Sequence, residues 1–194
     1  MDRMVLKLAA KDQIRGNIGT IFIAYVICAV IGGALSAIPA IGAILGFSAY
    51  AVFGFGMLLI IYDITAGVKP DVTRVFDGIK LYNWLNIILT YFISSVFVAL
   101  WSLLFVIPGI VKSISYSMAP YILVENPDMQ PMDAINASKA MMNGHKTDYF
   151  VLMLSFIPWM LLCAVTFGIA GIYVIPYMET TFFNFYYSVR GSEN

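Results

Sequence analysis

The sequence predicts an all-α polytopic membrane protein with six transmembrane helices. These helices are expected to form three helical hairpins with approximate threefold pseudo-symmetry, with amphipathic helices on the inner surface. Of the 194 residues, 61% are hydrophobic and 11% are charged, a balance outside the range of soluble globular domains. Long apolar segments recur along the chain, and three similar units of sequence follow one another. We therefore treat residues 1–194 as a single membrane domain.

Six apolar segments are long enough to be membrane-spanning helices. A bilayer core about 30 Å thick needs roughly 20 helical residues. The fourth segment is short, and Pro108 and Gly109 could instead bend one long helix or form a re-entrant segment. The connections within each pair, one of them at Pro108, are so short that the paired spans must be antiparallel neighbours. The predicted spans lie near residues 17–37, 41–64, 82–106, 109–124, 149–167 and 169–189.

Three glycines mark the repeated units, which cover approximately residues 1–66, 67–127 and 128–194. Each glycine follows a charged stretch compatible with a helix, and an aromatic residue stands six positions later. Glycine allows the backbone to turn from the membrane plane into a span. We therefore predict repeat-marking turns at three positions. The pairs of glycine and aromatic residue are Gly16 with Phe22, Gly78 with Trp84, and Gly144 with Phe150.

Lysine and arginine residues predict the orientation, because short cytoplasmic loops carry an excess of both. Ten of the eleven lie in four segments that share one side of the membrane if there are six spans. The opposite turns carry no charge except Lys112, which lies just inside the fourth span. Both termini are therefore predicted to be cytoplasmic. We reject a cleaved signal peptide, because its removal would destroy the first repeat.

The charged stretches predict amphipathic helices on the inner surface. The second stretch opens with Pro70, carries Asp71 in its first turn and stops at Gly78. The third follows the same scheme, with Pro131, Asp133 and Gly144. We expect ordinary interfacial anchors or, alternatively, a specific site for a lipid headgroup or a partner. The predicted headgroup collar comprises Arg3, Lys7, Lys11, Arg15, Arg74, Lys139, His145 and Lys146.

Glu179 is the clearest polar group inside a predicted span. An ionised side chain at this depth costs on the order of 2.5–3.5 kcal/mol. The carboxylate could pair with Lys112, bond to a tyrosine or threonine while protonated, or act in an ion or proton relay. Lys112 could alternatively extend to the outer headgroups. The predicted intramembrane polar site comprises Glu179, Lys112, Tyr116, Tyr177 and Thr180.

Patterns typical of catalysis or metal binding are missing from the sequence. His145 is the single histidine, and Cys28 and Cys163 lie within apolar segments. No phosphate-binding loop or nucleophile motif occurs. We therefore predict no enzyme activity, no catalytic residue, no cofactor and no metal site. A lipid enzyme assembled from Asp63, Asp148 and His145 is the alternative.

Several blocks of the sequence form a recognisable pattern that covers much of the chain. The blocks are Trp101–Leu104, Ile107–Lys112, Ser115–Met118, Pro120–Leu123, Met141–Met142, Gly144–Lys146, Leu154–Ile157 with Trp159, and Pro176–Tyr177 with Phe185–Tyr186. They resemble a bacterial family of small integral membrane proteins, the domain-of-unknown-function family numbered 975. Pro158 departs from the family's pattern, since glycine would be expected there. The resemblance implies a multi-span helical protein in the bacterial cytoplasmic membrane, and it implies no activity and no catalytic residues.

We expect a non-enzymatic membrane module that acts on lipids or on a membrane partner, in bilayer shaping or envelope-stress protection. The expected partners are membrane lipids and another membrane protein or peptide. The zero net charge indicates no nucleic-acid partner, and the oligomeric state stays open. The alternative is a small transporter or channel with Glu179 as its polar residue. A water-accessible cavity that reaches Glu179 would favour this alternative, and a dry, tightly packed seam would favour the first function.

Overall fold

The computed structural model describes residues 3–39, 41–80, 82–104 and 106–191, and for residue 104 only the backbone. Within these ranges the chain forms α-helices and one 3₁₀ helix, Val72–Phe76, and no β-strand. The all-α prediction is confirmed. The α-helices are α1 (Arg3–Gln13), α2 (Ile18–Ser36), α3 (Gly42–Thr65), α4 (Asp77–Lys80), α5 (Trp84–Leu104), α6 (Val106–Tyr116), α7 (Ala119–Glu125), α8 (Pro131–Met141), α9 (Lys146–Leu154), α10 (Ile157–Val165) and α11 (Gly171–Arg190).

Four helical segments in the described ranges are long and apolar enough to cross a membrane. They are Ile18–Ser36, Gly42–Thr65, Trp84–Leu103 and Lys146–Val165, the last of which combines α9 and α10. In all but the second, most residues lie outside the protein core. Such extensive apolar surface is compatible with lipid contact and not with water. The chain is therefore a membrane protein.

Prolines interrupt two of the predicted spans. The fourth breaks at Ser117 and Met118, because Pro120 has no N–H to continue the helical hydrogen bonds. The segment Lys146–Val165 is interrupted in the same way at Ser155, ahead of Pro158. Pro108, in contrast, lies inside the first turn of α6, where N–H groups have no helical acceptor. The prediction that the chain turns at Pro108 is therefore wrong.

The helices expected on the inner surface begin and end partly as predicted. Pro131 opens α8 and Asp133 lies in its first turn. The second of these helices begins later than predicted. Asp71 caps the 3₁₀ helix by accepting a hydrogen bond of 2.9 Å from the Thr73 N–H, so this helix begins after Pro70.

Two of the three predicted glycine turns are present. Gly16 and Gly144 both have a φ of +85°, which favours glycine, and they lie in the turns before α2 and α9. Gly78 lies instead within α4 and is buried. A β-carbon on Gly78 would stand 3.0 Å from the carbonyl oxygen of Val52, so this glycine permits close packing on α3. The predicted turn at Gly78 is therefore wrong.

The core lies around α3 and α11, which contribute many of its largest buried side chains. α3 contacts both α7 and α11. Tyr121 of α7 meets Phe183 of α11, with ring centroids 5.2 Å apart. Helices α2, α5 and α10 lie outside this core and expose large apolar side chains. Helices α3, α7 and α11 therefore form the centre, and α2, α5 and α10 form the periphery.

Each short helix outside the predicted spans packs on a helix from another part of the chain. α1 contacts α11, the 3₁₀ helix contacts α3, and α8 contacts α7. The helices of the predicted spans show a corresponding pattern, in which α5 contacts α3, α9 contacts α6, and α2 contacts α11. The first and last parts of the chain are therefore in direct contact.

Candidate functional site

A cavity of about 610 Å³ lies among residues of α2, α3, α5, α6, α7 and α11. Its apolar wall includes Met57, Leu58 and Val98, and each of the six helices contributes at least one polar side chain. This volume is typical of sites for small organic molecules. The hydroxyl-bearing serine and threonine residues on its wall are Thr90, Ser94, Ser95, Ser113 and Ser117.

Glu179 places a carboxyl group on the wall of this cavity. It lies roughly 12 Å along α11 from Gly171 and roughly 16 Å from Arg190, at 1.5 Å per residue. Its side chain is half-buried and lines the cavity. Among the described residues, no group forms an ion pair or hydrogen bond with this carboxyl group. Glu179 is therefore directed at the cavity with its hydrogen-bonding capacity unused.

Tyrosine side chains line the same cavity as the Glu179 carboxyl group. The hydroxyl groups of Tyr25, Tyr91 and Tyr121 lie within electrostatic range of it. Tyr50 meets Tyr91 edge to face, with centroids 6.2 Å apart, so the two rings support one another across α3 and α5. These rings, together with Tyr116, also line the cavity. The wall around the acid is therefore rich in aromatic faces and phenolic hydroxyls.

Thr90 has a hydroxyl oxygen without a hydrogen-bond partner, the one such buried side-chain atom within the described ranges. Most helical serine and threonine hydroxyls donate to a carbonyl of their own helix, as Ser95 does to Phe92 O at 2.7 Å. Ser113 donates to Ile110 O at 2.8 Å in the same way. An unpaired buried hydroxyl costs about 1–3 kcal/mol. Thr90 is therefore a local cost to the packing of α5, and its hydroxyl is closed off from the cavity.

The break between α6 and α7 is held by a side chain from another helix. Ser138 of α8 donates to the carbonyl oxygen of Ser115 at 2.8 Å and accepts from the Met118 N–H at 3.1 Å. Ser138 is fully buried, so both backbone groups are satisfied away from water. Broken helices within membranes are tolerated where their backbone groups are satisfied in this way. This break gives the cavity wall its bend at Ser117.

The structure brings together only part of the predicted polar site. Glu179 and Tyr116 line the same cavity. Lys112 lies over the Trp101 ring, 4.7 Å from its centroid, and forms no ion pair with Glu179. The aromatic ring offers the ammonium group a cation–π contact, so the pairing of Lys112 with Glu179, one of the alternatives, does not form.

Tyr177 and Thr180 of the predicted site also lie elsewhere. Tyr177 packs edge to face against Phe156 and Trp159, with centroids 5.4 and 5.8 Å away. Thr180 is buried and donates to Pro176 O at 2.7 Å, so its hydroxyl has a partner within α11. Both residues lie one or two positions from Glu179, which turns their side chains to other faces of the helix.

The sequence analysis missed the contribution of α5 and of the first hairpin. Thr90 and Ser94 lie four residues apart, which places both on one face of α5. Such a polar stripe in an apolar span is a detectable signal. The contribution of Tyr25 and Tyr50 carried no comparable signal, because tyrosines at lipid-facing and cavity-facing positions look alike in a sequence.

Two members of the predicted headgroup collar have partners within the protein. Lys7 donates to the carbonyl oxygen of Ser155 at 3.0 Å and lies 4.1 Å from the centroid of the Phe156 ring. Its ammonium group therefore binds the free carbonyl at the break between α9 and α10. Burial, with repulsion from the nearby Arg3, lowers the pKa of Lys7.

Arg74, the second of these, is held by two carboxylates. Its Nε and Nη2 donate to the two oxygens of Asp63, each at 2.7 Å, and Nη1 donates to Asp77 at 2.9 Å. These bonds to Asp63 are the main cause of the raised pKa of Arg74. The pairing also occupies Asp63, one of the three residues in the alternative lipid-enzyme site.

The rest of the predicted collar lies at the protein surface to different extents. His145 and Lys146 are half-buried at the start of α9. The fully exposed members are Arg3, Lys11, Arg15 and Lys139. A basic surface therefore exists, but it is smaller than the sequence indicates. Within the part of the chain that the structure describes, no three histidine, cysteine or acidic residues cluster as a metal site would require.

Comparison with known proteins adds a family without an assigned activity. A family model described as a protein of unknown function, DUF975, matches residues 103–193, just under half of the chain. This match confirms the resemblance predicted from the sequence blocks. No curated protein and no solved structure matches the chain.

Proposed function

We propose that this protein is a non-enzymatic membrane transporter or channel that binds a small solute in the Glu179 cavity. One observation carries the proposal: an acid in the middle of α11 lines a cavity of about 610 Å³ and has no protein partner among the described residues. Acids inside membrane proteins typically mark substrate or ion pathways. The cavity is also the feature that separates this function from a dry, tightly packed module.

The proposal includes six membrane crossings, with α6 and α7 forming one crossing and α11 another. The cyclic contact pattern supports this arrangement. Each inner-surface helix packs on the second crossing of the preceding hairpin, and α1 packs on α11, which closes the ring. Three hairpins related by approximate threefold pseudo-symmetry about the membrane normal would produce these contacts. Binding sites at the interface between repeats and at broken helices are common in transporters.

We further propose that both termini face the cytoplasm of a bacterial cell. The exposed basic residues Lys11 and Lys139 lie at the same ends of their hairpins in this arrangement. Excess positive charge on the cytoplasmic side supports this orientation. The cavity would then lie near the middle of the bilayer, with Glu179 at its wall.

Water access to the cavity tests the proposal directly. With Cys28 and Cys163 replaced by serine, Ser94→Cys would be treated with methyl methanethiosulfonate in lipid nanodiscs, and intact mass would report labelling. Thiolates are the reactive form and require water to ionise. We expect Ser94→Cys to react at a rate comparable to Phe167→Cys in the exposed outer turn.

The matched control lies on the same helix. Leu100 is 56% exposed on the outer surface of α5, where lipid is expected to exclude water. Leu100→Cys should react far more slowly than Ser94→Cys. A Ser94→Cys rate as low as that of Leu100→Cys would show that the cavity is dry, and the proposed function would then be wrong.

The lipid-acting module is retained as a second candidate because of the exposed face of α1. Val5 and Leu8 are 60% and 56% exposed, and Lys11 and Arg15 are exposed nearby. An apolar face beside basic residues suits anionic lipid headgroups. If this function holds, Lys11→Gln with Arg15→Gln should reduce the amount of phosphatidylglycerol that copurifies. Equal amounts in variant and wild type would count against it.

A further inference from the structure

We propose that the ligand of the Glu179 cavity is a primary amine in its ammonium form, carrying an apolar substituent. This inference rests on the proposed function and specifies its ligand class. Three properties of the cavity lead to the ammonium group: the charge of the wall, the aromatic side chains, and the serine hydroxyls on the wall.

The charge of the wall selects a cation. Glu179 is an acid, and none of the described residues that line the cavity is lysine, arginine or histidine. Lys112 is engaged with Trp101 and does not neutralise the acid. A bound ammonium ion would supply the missing positive charge at short range, where the low dielectric of the membrane strengthens the attraction. An anionic ligand would meet only repulsion.

The aromatic faces favour an organic cation over a metal ion. Ammonium groups are attracted to the faces of tyrosine rings, and Tyr25, Tyr91 and Tyr121 line the same cavity as Glu179. Inorganic cations prefer several oxygen ligands at short distance, whereas Glu179 is the one carboxylate among the described lining residues. A cavity of about 610 Å³ is also far larger than a single ion needs.

The hydroxyls distinguish a primary amine from a quaternary one. A primary ammonium has three N–H donors, one for Glu179 and others for hydroxyl oxygens on the wall such as that of Ser94. A quaternary ammonium has no donor and could not bond to these oxygens. The three donors therefore match the polar groups on the wall.

An adjoining cavity indicates the apolar substituent. A second space of about 430 Å³ shares Tyr25, Tyr50 and Met57 with the first and continues between α2 and α3 towards Ser36. Its other lining residues are glycines, alanines, Cys28 and Phe53. A ligand with its ammonium group at Glu179 can therefore extend an alkyl or aryl group into this space.

Binding of three probes that share a phenylbutyl group tests the ligand class. The probes are 4-phenylbutylamine, the neutral 4-phenylbutan-1-ol and the anionic 5-phenylpentanoate. Titration calorimetry would use the full chain in phosphatidylcholine nanodiscs, with empty nanodiscs subtracted. We expect saturable binding of the amine to wild type and at least tenfold weaker binding of the alcohol and the acid, since close charge pairs in buried sites are worth more than 1.4 kcal/mol. Equal affinity for the amine and the alcohol in wild-type protein would overturn the inference, whatever the variants do.

Two cavity variants and one control complete the experiment. Glu179→Gln should weaken amine binding about tenfold or more and leave alcohol binding unchanged, because only the charge is lost. Ser94→Ala should weaken it about threefold to tenfold through the lost hydrogen bond. Lys112→Gln, outside the cavity, should bind as wild type does. Amine binding unchanged in Glu179→Gln would also overturn the inference.

The outcomes separate the ligand class from the proposed function. Absence of saturable amine binding, with Ser94→Cys still water-accessible, would refute the amine and leave the solute cavity standing. A Ser94→Cys that reacts no faster than Leu100→Cys would refute both.

Discussion

At the scale of single residues, the clearest lesson is that the charge on a side chain does not determine what it contacts. The sequence analysis assigned Lys112, Lys7 and Arg74 by charge and position alone. In the structure each binds a specific partner, respectively the Trp101 ring, the Ser155 carbonyl and the Asp63 carboxylate. Each partner belongs to another element of the fold, from 11 residues away for Asp63 to 148 residues away for Ser155. The sequence without the fold therefore could not identify these three partners.

Arg74 offers a stability test at this scale. Arg74→Gln should lower stability by about 1–3 kcal/mol, since it leaves the mostly buried Asp63 without its two hydrogen bonds. Thermal unfolding in nanodiscs, followed by tryptophan fluorescence, would measure the change. Lys69→Gln is the control, because Lys69 is exposed in the same connecting segment. Equal melting temperatures for Arg74→Gln and wild type would show that the ion pair does not stabilise the packing of the 3₁₀ helix on α3.

At the scale of elements, helix positions were predictable and helix breaks were only partly so. Apolar length located the first, second and third spans to within a few residues, because burial in lipid requires that length. The breaks at Ser117 and Ser155 precede Pro120 and Pro158, so a proline signal existed for both. Pro108 was instead predicted to mark the connection between the third and fourth spans. A proline in a first turn and a proline after a break cannot be distinguished without knowing where the helix begins.

Two glycines of α3 test how this helix packs. A β-carbon on Gly56 would collide with the backbone of Val75 in the 3₁₀ helix, whereas one on Gly54 would meet no atom within 4 Å. Gly56→Ala should therefore destabilise the protein by about 1–3 kcal/mol. Gly54→Ala is the matched control and should be neutral or slightly stabilising, because alanine favours helix. Thermal unfolding of the two variants compares them. Similar melting temperatures for both would mean that the 3₁₀ helix does not dock closely on α3.

At the scale of the whole molecule, the class of protein followed from composition and the site did not. An apolar, weakly charged chain can bury its surface only in a bilayer, so the membrane prediction was direct. Glu179 was identified because an acid in an apolar span is conspicuous. The cavity, however, depends on how six helices from different parts of the chain pack together. Side chains such as Tyr25 and Thr90 come to line one cavity only in the folded protein.

The number of crossings can be tested by labelling from each side of the membrane. In cells expressing a variant without native cysteines, a membrane-impermeant maleimide should label Ala37→Cys, Val106→Cys and Phe167→Cys. Lys11→Cys and Lys139→Cys should be labelled only after permeabilisation. If only the four candidate helices crossed, Phe167→Cys would lie inside and Lys139→Cys outside. That pattern would contradict six crossings.

The central claim is that Glu179 faces an occupied or water-filled space inside the membrane. A high-resolution cryo-electron microscopy map of the protein in lipid nanodiscs would show this space most directly. We predict non-protein density for water or a small solute within hydrogen-bonding distance of the Glu179 carboxyl group, bounded by the tyrosine rings. A map in which the cavity has closed and Glu179 is bonded to a protein side chain would contradict the claim.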